Sequence, residues 1–350
     1  MEFNYRSFPN RIYFGKGKRK LLPELLKNYS KVLVLATGRL EAEVKSLQDA
    51  LGSNRVVHFS KIIQHVPKTL VSEVREFRAK HQPQVVVAIG GGSAIGLAKA
   101  LALDEYLPQI AIPSTYSGSE QTNIFGISTE AGKTTGRNDQ VLPGVVIYDS
   151  ELTVGMHKLL AATSAMNAMA HLMEAIYSPT ANPVTRSIAL QGMEVIKKGM
   201  ENLAQSDSLT EESNENLLLG AYLAGKCLCE VEMSLHHKAC HTLGGSFGLD
   251  HASVHTVMQS YVMDFQWDFL SEEMKNDFKT VFQSENPALE LRRLAGNCWA
   301  KTDLQSLGFG EENIPEAVEL MLAKPYANVR PLTQENLSEL LRKAVLGELG

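Results

Sequence analysis

With 350 residues, 44% of them hydrophobic and 21% charged, the chain has the composition of a globular protein with a large core, and its length predicts two domains. Thirty-four Lys and Arg against thirty-nine Asp and Glu leave a net charge of -5, which excludes a broad basic field for nucleic acid or an anionic membrane. No run reaches the roughly 18 apolar residues that cross a bilayer, and MEFNYRSFPNR lacks the core of a secretion signal, so a cytoplasmic protein is expected.

The first 150 residues alternate short β-branched runs with amphipathic stretches, the pattern of a parallel α/β sheet. The runs are Lys31 to Ala36 (KVLVLA), Val56 to Phe59, Val85 to Gly90 (VVVAIG), Gln109 to Ser114 and Gly144 to Asp149. KVLVLA and VVVAIG are almost continuously apolar, as strands covered on both faces are. Glu41 to Leu51 and Leu70 to His81 have the length and periodicity of crossover helices. An opening strand around Arg11 to Gly15 and a hairpin near Asn123 to Arg137 are expected outside the parallel order. Near residue 152 the texture changes: seven of the thirteen prolines lie before it, and none falls between Val184 and Asn286. That stretch, rich in Leu, Ala, Met and Glu, predicts consecutive helices, interrupted by the polar loop Gln205 to Glu215 with a helix starting near Thr210. The expected organisation is an α/β domain over 1–152 and a helical domain over 153–350, with the ligand site in a cleft between them. Cys227, Cys229, Cys240 and Cys298 follow neither a disulfide framework nor a zinc pattern and are expected as reduced core thiols.

After VVVAIG the chain runs Gly90-Gly91-Gly92-Ser93-Ala94-Ile95-Gly96 into a helical segment. Glycines let a backbone approach a phosphate, Ser93 is placed to cap the helix, and first-turn N–H groups favour an anion. The spacing departs from the usual dinucleotide fingerprint, because its third glycine would fall on Ile95. A hydroxyl-rich loop, Ser114-Thr115-Tyr116-Ser117-Gly118-Ser119, follows the next strand and suits either a nicotinamide and diphosphate channel or a simple polar turn. Thr37-Gly38-Arg39, after the first parallel strand, would sit near an adenosine ribose; with no acidic residue there and Arg39 present, neither NADH nor NADPH is excluded.

In the helical half, Asn167 and His171 lie four apart and share a helix face, and His237 and His241 repeat that spacing. His251 follows fourteen residues after His237. Neutral imidazoles so arranged suit zinc or ferrous iron, or a proton donor, although isolated pairs of this kind are commonly packing or surface residues.

GGGSAIGLAKA, IPSTYSGSE, SAMNAMAHLMEAIYS and HHKACHTLGGSFGLDHASVHT resemble, in order and over nearly the whole chain, the iron-containing alcohol dehydrogenase superfamily, and within it the maleylacetate reductases. The resemblance implies a Rossmann-like nucleotide-binding domain followed by an all-α, dehydroquinate synthase-like domain. It implies cofactor contacts at Gly91, Gly92, Ser93, Ser114, Thr115, Tyr116 and Ser119. The places of the family's metal ligands, an Asp and three His, are here Asn167, His171, His237 and His251. Because an amide oxygen is an uncharged, weaker ligand, no tightly bound metal is expected; if one is bound, those four residues hold it. The activity implied is NADH- or NADPH-dependent reduction of the carbon–carbon double bond of maleylacetate, a small dicarboxylate, during aromatic-compound degradation. In that reading His171, His237, His241 and His251, with Lys238 beside them, supply hydrogen bonds and positive charge to the developing enolate. The alternative is a metal-dependent alcohol or polyol dehydrogenase, and a homodimer is expected in either case.

Overall fold

The computed structural model describes residues 2–129 and 132–349; residues 1, 130, 131 and 350 lie outside them. Two compact units divide the chain after residue 155, and residues 2–6 group with the second unit, where the Tyr5 hydroxyl donates to Glu230 Oε2 at 2.9 Å.

The first unit is a six-stranded parallel sheet with crossover helices. Its strands are β1 (Arg11–Phe14), β2 (Val32–Leu35), β3 (Val56–Phe59), β4 (Val85–Gly90), β5 (Gln109–Pro113) and, after a separate antiparallel hairpin of β6 (Ile124–Thr129) and β7 (Gly132–Arg137), β8 (Val145–Tyr148). The helices are α1 (Leu22–Leu25), α2 (Glu41–Leu51), α3 (Lys68–His81), α4 (Gly92–Ala102) and α5 (Ser150–Thr153). Every residue of β2, β4 and β5 is buried, which is why β2 and β4 are apolar without alternation; in β5 the one polar residue, Gln109, donates from Nε2 to Val141 O at 3.1 Å. The sheet order is β1-β8-β5-β4-β2-β3. The chain therefore steps outward from β2 to β3 and returns to β4, reversing direction between β2 and β4; ligands of open α/β sheets bind at the carboxyl ends of the strands flanking such a point.

The opening strand was expected outside the parallel order, and that expectation fails. β1 pairs in parallel with β8, Arg11 opposite Val145 through Phe14 opposite Tyr148. Its partner lies more than 130 residues away, so no local pattern announces the pairing.

The second unit consists of α6 (Lys158–Tyr177), α7 (Pro183–Ala204), α8 (Glu211–Glu230), α9 (Leu235–Ser246), α10 (His251–Gln266), α11 (Glu272–Phe282), α12 (Pro287–Asn297), α13 (Ile314–Leu322) and α14 (Gln334–Leu346). Side-chain caps define several starts. Asn182 accepts from the Thr185 N–H in a capping box with Pro183 at the first helical position, Thr210 accepts from the Ser213 N–H, and Asp250 from the Ser253 N–H. Each cap is worth about 1 kcal/mol. α6 is buried on nearly all its faces and packs against α7 and α8, with glycine at the closest approaches. A Cβ on Gly192 would fall 2.6 Å from Leu172 Cδ2, so a larger residue there would force α6 and α7 apart. A second apolar core gathers α9, α10, α13 and α14 around Leu243, Val257, Val318 and Leu341. All four cysteines are unpaired and buried, as expected for core thiols. Among the described residues no helix is long and apolar enough to cross a membrane.

Candidate active site

In the first unit the loops singled out from sequence converge on the carboxyl edge of the sheet. Gly90 ends β4 at φ 154°, a conformation that favours glycine, and a Cβ there would sit 3.0 Å from that of Ala94. The residue capping α4 is Gly91, not Ser93, and it makes no side-chain cap. Ser93 lies inside the first turn because the helix begins at Gly92, two positions earlier than a helix capped by Ser93 would. The consequence is chemical: the N–H groups of the first turn have no side-chain cap, the arrangement that binds phosphate at helix N-termini.

The hydroxyl loop packs directly on this turn. The Ser114 N–H donates to Gly90 O at 3.0 Å, and a Cβ on Gly91 would come within 3.1 Å of Thr115 Oγ1. Lys99, fully buried on α4, anchors the loop's far end by donating to Ser119 O at 2.5 Å, Thr122 Oγ1 at 2.8 Å and Ile124 O at 2.9 Å. Ser114, Thr115 and Ser119 are half-buried, whereas Tyr116 is fully buried and its hydroxyl, pushed far above its usual range by burial, serves the core. Thr37, Gly38 and Arg39 follow β2 across the reversal point, with Gly38 and Arg39 exposed.

In the second unit, α6, α9 and α10 bring six imidazoles together. Asn167, His171 and Glu174 form an i, i+4, i+7 stripe on α6, and all three are buried. From α9 come His236, His237 and His241, and from α10 His251 and His255. Ring centroids of His237 and His171 lie 4.6 Å apart, of His237 and His255 4.9 Å, of His251 and His255 4.4 Å, and of His241 and His251 6.1 Å. The group is graded: His171, His237 and His255 are buried, His251 is half-buried and His241 is exposed, so its open end is at His241 and His251. Lys238 is half-buried and one position further round α9, about 100° from the face shared by His237 and His241.

Glu174 organises the interior. Its carboxylate is fully buried and accepts from the His236 N–H at 2.7 Å and the Ser234 N–H at 3.0 Å, at the N-terminus of α9, while His237 Nδ1 lies 2.5 Å from Oε2. Burial alone would raise its carboxyl, but the charge and hydrogen bond of His237 and the backbone donors hold it below the usual range. His237 Nε2 is 2.6 Å from His171 Nδ1, and His171 Nε2 faces the Asn167 amide nitrogen at 3.5 Å. Asn167 Oδ1 is buried with no partner.

The expected positive charge is corrected for part of this cluster. Burial, with repulsion from His237 and His251, holds His171 well below the ordinary value of 6.5; burial brings His236 down to about 3 and His255 well down too. These rings are neutral at physiological pH and serve as hydrogen-bonding groups or ligands, not as cations. Sequence reasoning missed Glu174, His236 and His255. Glu174 extends the helix-face spacing already noted at Asn167 and His171, while His255 lies four residues after His251 and His236 four before Cys240, so each carried a helical spacing of its own.

His236, Cys240 and His255 also place donor atoms within 4.8 Å of one another. His236 Nε2 and His255 Nδ1 are 3.0 Å apart, a hydrogen bond in its own right. An ion there would fix protons on His236 Nδ1 and His255 Nε2, which are buried without partners, so the trio is read as packing behind the cluster.

Residues 9–150 match the family model of the iron-containing alcohol dehydrogenases, and residues 161–345 match that of the family's C-terminal part. The chain belongs to the iron-containing alcohol dehydrogenase family and is an oxidoreductase of that class. It is 36% identical over 348 residues to the maleylacetate reductase of Sphingobium indicum, covering 99% of this chain and 98% of that one. It is 37% identical over 345 residues to maleylacetate reductase 1 of Rhodococcus opacus, covering 98% and 96%. The crystal structure of maleylacetate reductase from Agrobacterium tumefaciens superposes with a TM-score of 0.94 at 34% identity over 99% of both chains.

The expectation that no metal is held does not stand. Both halves match an iron-containing family, and the site has the donors for an ion: a buried amide oxygen without a partner beside imidazoles kept neutral. The weaker amide ligand lowers affinity, but it leaves the donor set intact.

Proposed function

We propose that the chain is a maleylacetate reductase, using NADH or NADPH to reduce the carbon–carbon double bond of maleylacetate to 3-oxoadipate. Full-length relatives of that name support the reading, and one observation in the site carries it. At position 167 an uncharged amide stands where an aspartate would place an anion in the cluster, and its Oδ1 is buried without a partner. A substrate bearing two carboxylates is repelled less by such a site than by one with an added carboxylate, whereas a neutral alcohol gains nothing from the exchange.

When bound, NADH or NADPH would supply hydride to the alkene carbon β to the ketone, and the electron pair of the double bond would then move onto the ketone oxygen as an enolate. His241 and His251, at the open end, donate hydrogen bonds where this charge develops, and a proton delivered to the carbon α to the ketone completes the reduction. Asn167, His171, His237 and His251 would hold the family's metal, which when bound supplies Lewis-acid polarisation of a carbonyl oxygen. Gly91, Gly92 and Ser93 bind the cofactor diphosphate through the first turn of α4, Ser114, Thr115 and Ser119 line its path, and Arg39 accommodates a ribose 2′-phosphate. The cofactor role of Tyr116 is to support that loop from within the core.

The reading includes a cytoplasmic location, in keeping with four unpaired cysteines, and a homodimer, for which the outer edge of β1 offers a strand-pairing surface. The test is NADH oxidation with maleylacetate beside a panel of aldehydes and alcohols. Turnover confined to maleylacetate supports the reading; turnover of alcohols or aldehydes alone refutes it.

A further inference from the structure

Protons in the interior of the cluster are ordered from one end. The carboxylate of Glu174 accepts two backbone N–H groups, and a third contact at 2.5 Å joins it to His237 Nδ1. Ser234 and His236 nitrogens can only donate, and the start of α9 stabilises a negative charge, so the carboxylate is ionised and has no proton to give. The proton in the 2.5 Å contact therefore belongs to His237 Nδ1. In the neutral form that a metal ligand requires, His237 keeps its single proton on Nδ1 and has its lone pair on Nε2, which accepts from His171 Nδ1 at 2.6 Å. His171, in turn, then has its lone pair on Nε2, facing Asn167.

We propose that Glu174 is a positioning residue: it locks the His237 proton on Nδ1 and so keeps Nε2 of His237, which here accepts from His171 Nδ1, and Nε2 of His171 free of protons for an ion. Resting on the reading of these residues as ligands, the assignment explains why a fully buried carboxylate is kept beside them: without it, the His237 proton is free to move to Nε2, which removes the lone pair an ion needs.

Glu174→Gln tests this with almost no change of shape. If its Oε1 accepts from the His236 N–H as now, its NH2 group faces the Ser234 N–H and His237 Nδ1, and two donors cannot pair. His237 must then offer Nδ1 as acceptor and carry its proton on Nε2. Nitrogen-15 NMR of histidine-labelled protein, with the His237 signals assigned by their loss in His237→Gln, reads the tautomer directly. The wild-type protein freed of metal should show His237 protonated at Nδ1, and Glu174→Gln should show Nε2. Affinity for zinc ion alone, from competition with a chromogenic chelator, should fall 10- to 100-fold in Glu174→Gln and be partly restored in Glu174→Asp. Wild-type His237 protonated at Nε2 overturns the proposal with no variant required. A folded Glu174→Gln with unchanged zinc affinity overturns it as well. Neither measurement uses maleylacetate, so failure here is separate from failure of the proposed activity.

Discussion

Replacing Gly92 by valine separates cofactor binding from folding. A Cβ at this position meets Ser117 Oγ at 3.4 Å, ordinary van der Waals contact, and the backbone is helical, where valine is at least as favourable as glycine, so the substitution leaves the local fold intact. Gly91 would be a poorer choice, because its Cβ would meet Thr115 Oγ1 and Cγ2 at 3.1 Å and move the loop as well. At Gly92 the added methyl groups stand beside the uncapped first-turn N–H groups, where the proposed diphosphate must approach the backbone. The dissociation constant for NADH should rise at least tenfold, or about 1.4 kcal/mol. Quenching or enhancement of NADH fluorescence on titration gives the constant, and a thermal melt confirms the fold. A folded Gly92→Val protein with parental NADH affinity would refute phosphate binding at this turn.

Other consequences follow from the histidine cluster. Alanine at His237 or His241 should lower kcat/KM for maleylacetate by about 10²-fold, roughly 2.7 kcal/mol, while NADH affinity moves by less than a few-fold; a folded double variant turning over at the parental rate removes these residues from the chemistry. Asn167→Asp should tighten zinc binding, read by chelator competition, and raise the KM for maleylacetate about tenfold or more by adding a charge that repels the dianion; a KM that is unchanged or lower argues against the dianion reading. Stability should also depend on pH in a defined direction. His171, His236 and His255 have folded-state values below the ordinary 6.5, so the unfolded chain binds more protons as pH falls through 6.5, and stability present above that value is lost below it, toward the folded value of about 3 for His236. Each group contributes a slope of up to about 1.4 kcal/mol per pH unit in that window. Urea unfolding of metal-free protein should therefore give a plateau above pH 7 and a steep decline from pH 6.5 to 5; an equal free energy of unfolding at pH 5.5 and 7.5 contradicts the buried neutral rings.

Local pattern was enough for what depends on near neighbours in the chain. β2 and β4 announced themselves as apolar runs, because a strand covered on both faces has no polar side to display. The glycine turn and the Asn167/His171 and His237/His241 spacings were visible for the same reason, since one turn of helix or loop relates them. Only the tertiary structure decided the place of β1, whose partner is β8, and the start of α4 at Gly92, which shifted Ser93 out of the cap. It also decided the state of the site. Glu174 is ionised because α9 directs two N–H groups at it from sixty residues further along the chain, and the buried imidazoles are neutral because several rings are removed from water together. Desolvation and charge are properties of everything packed around a group, and the identity of a residue and its neighbours in sequence does not contain them.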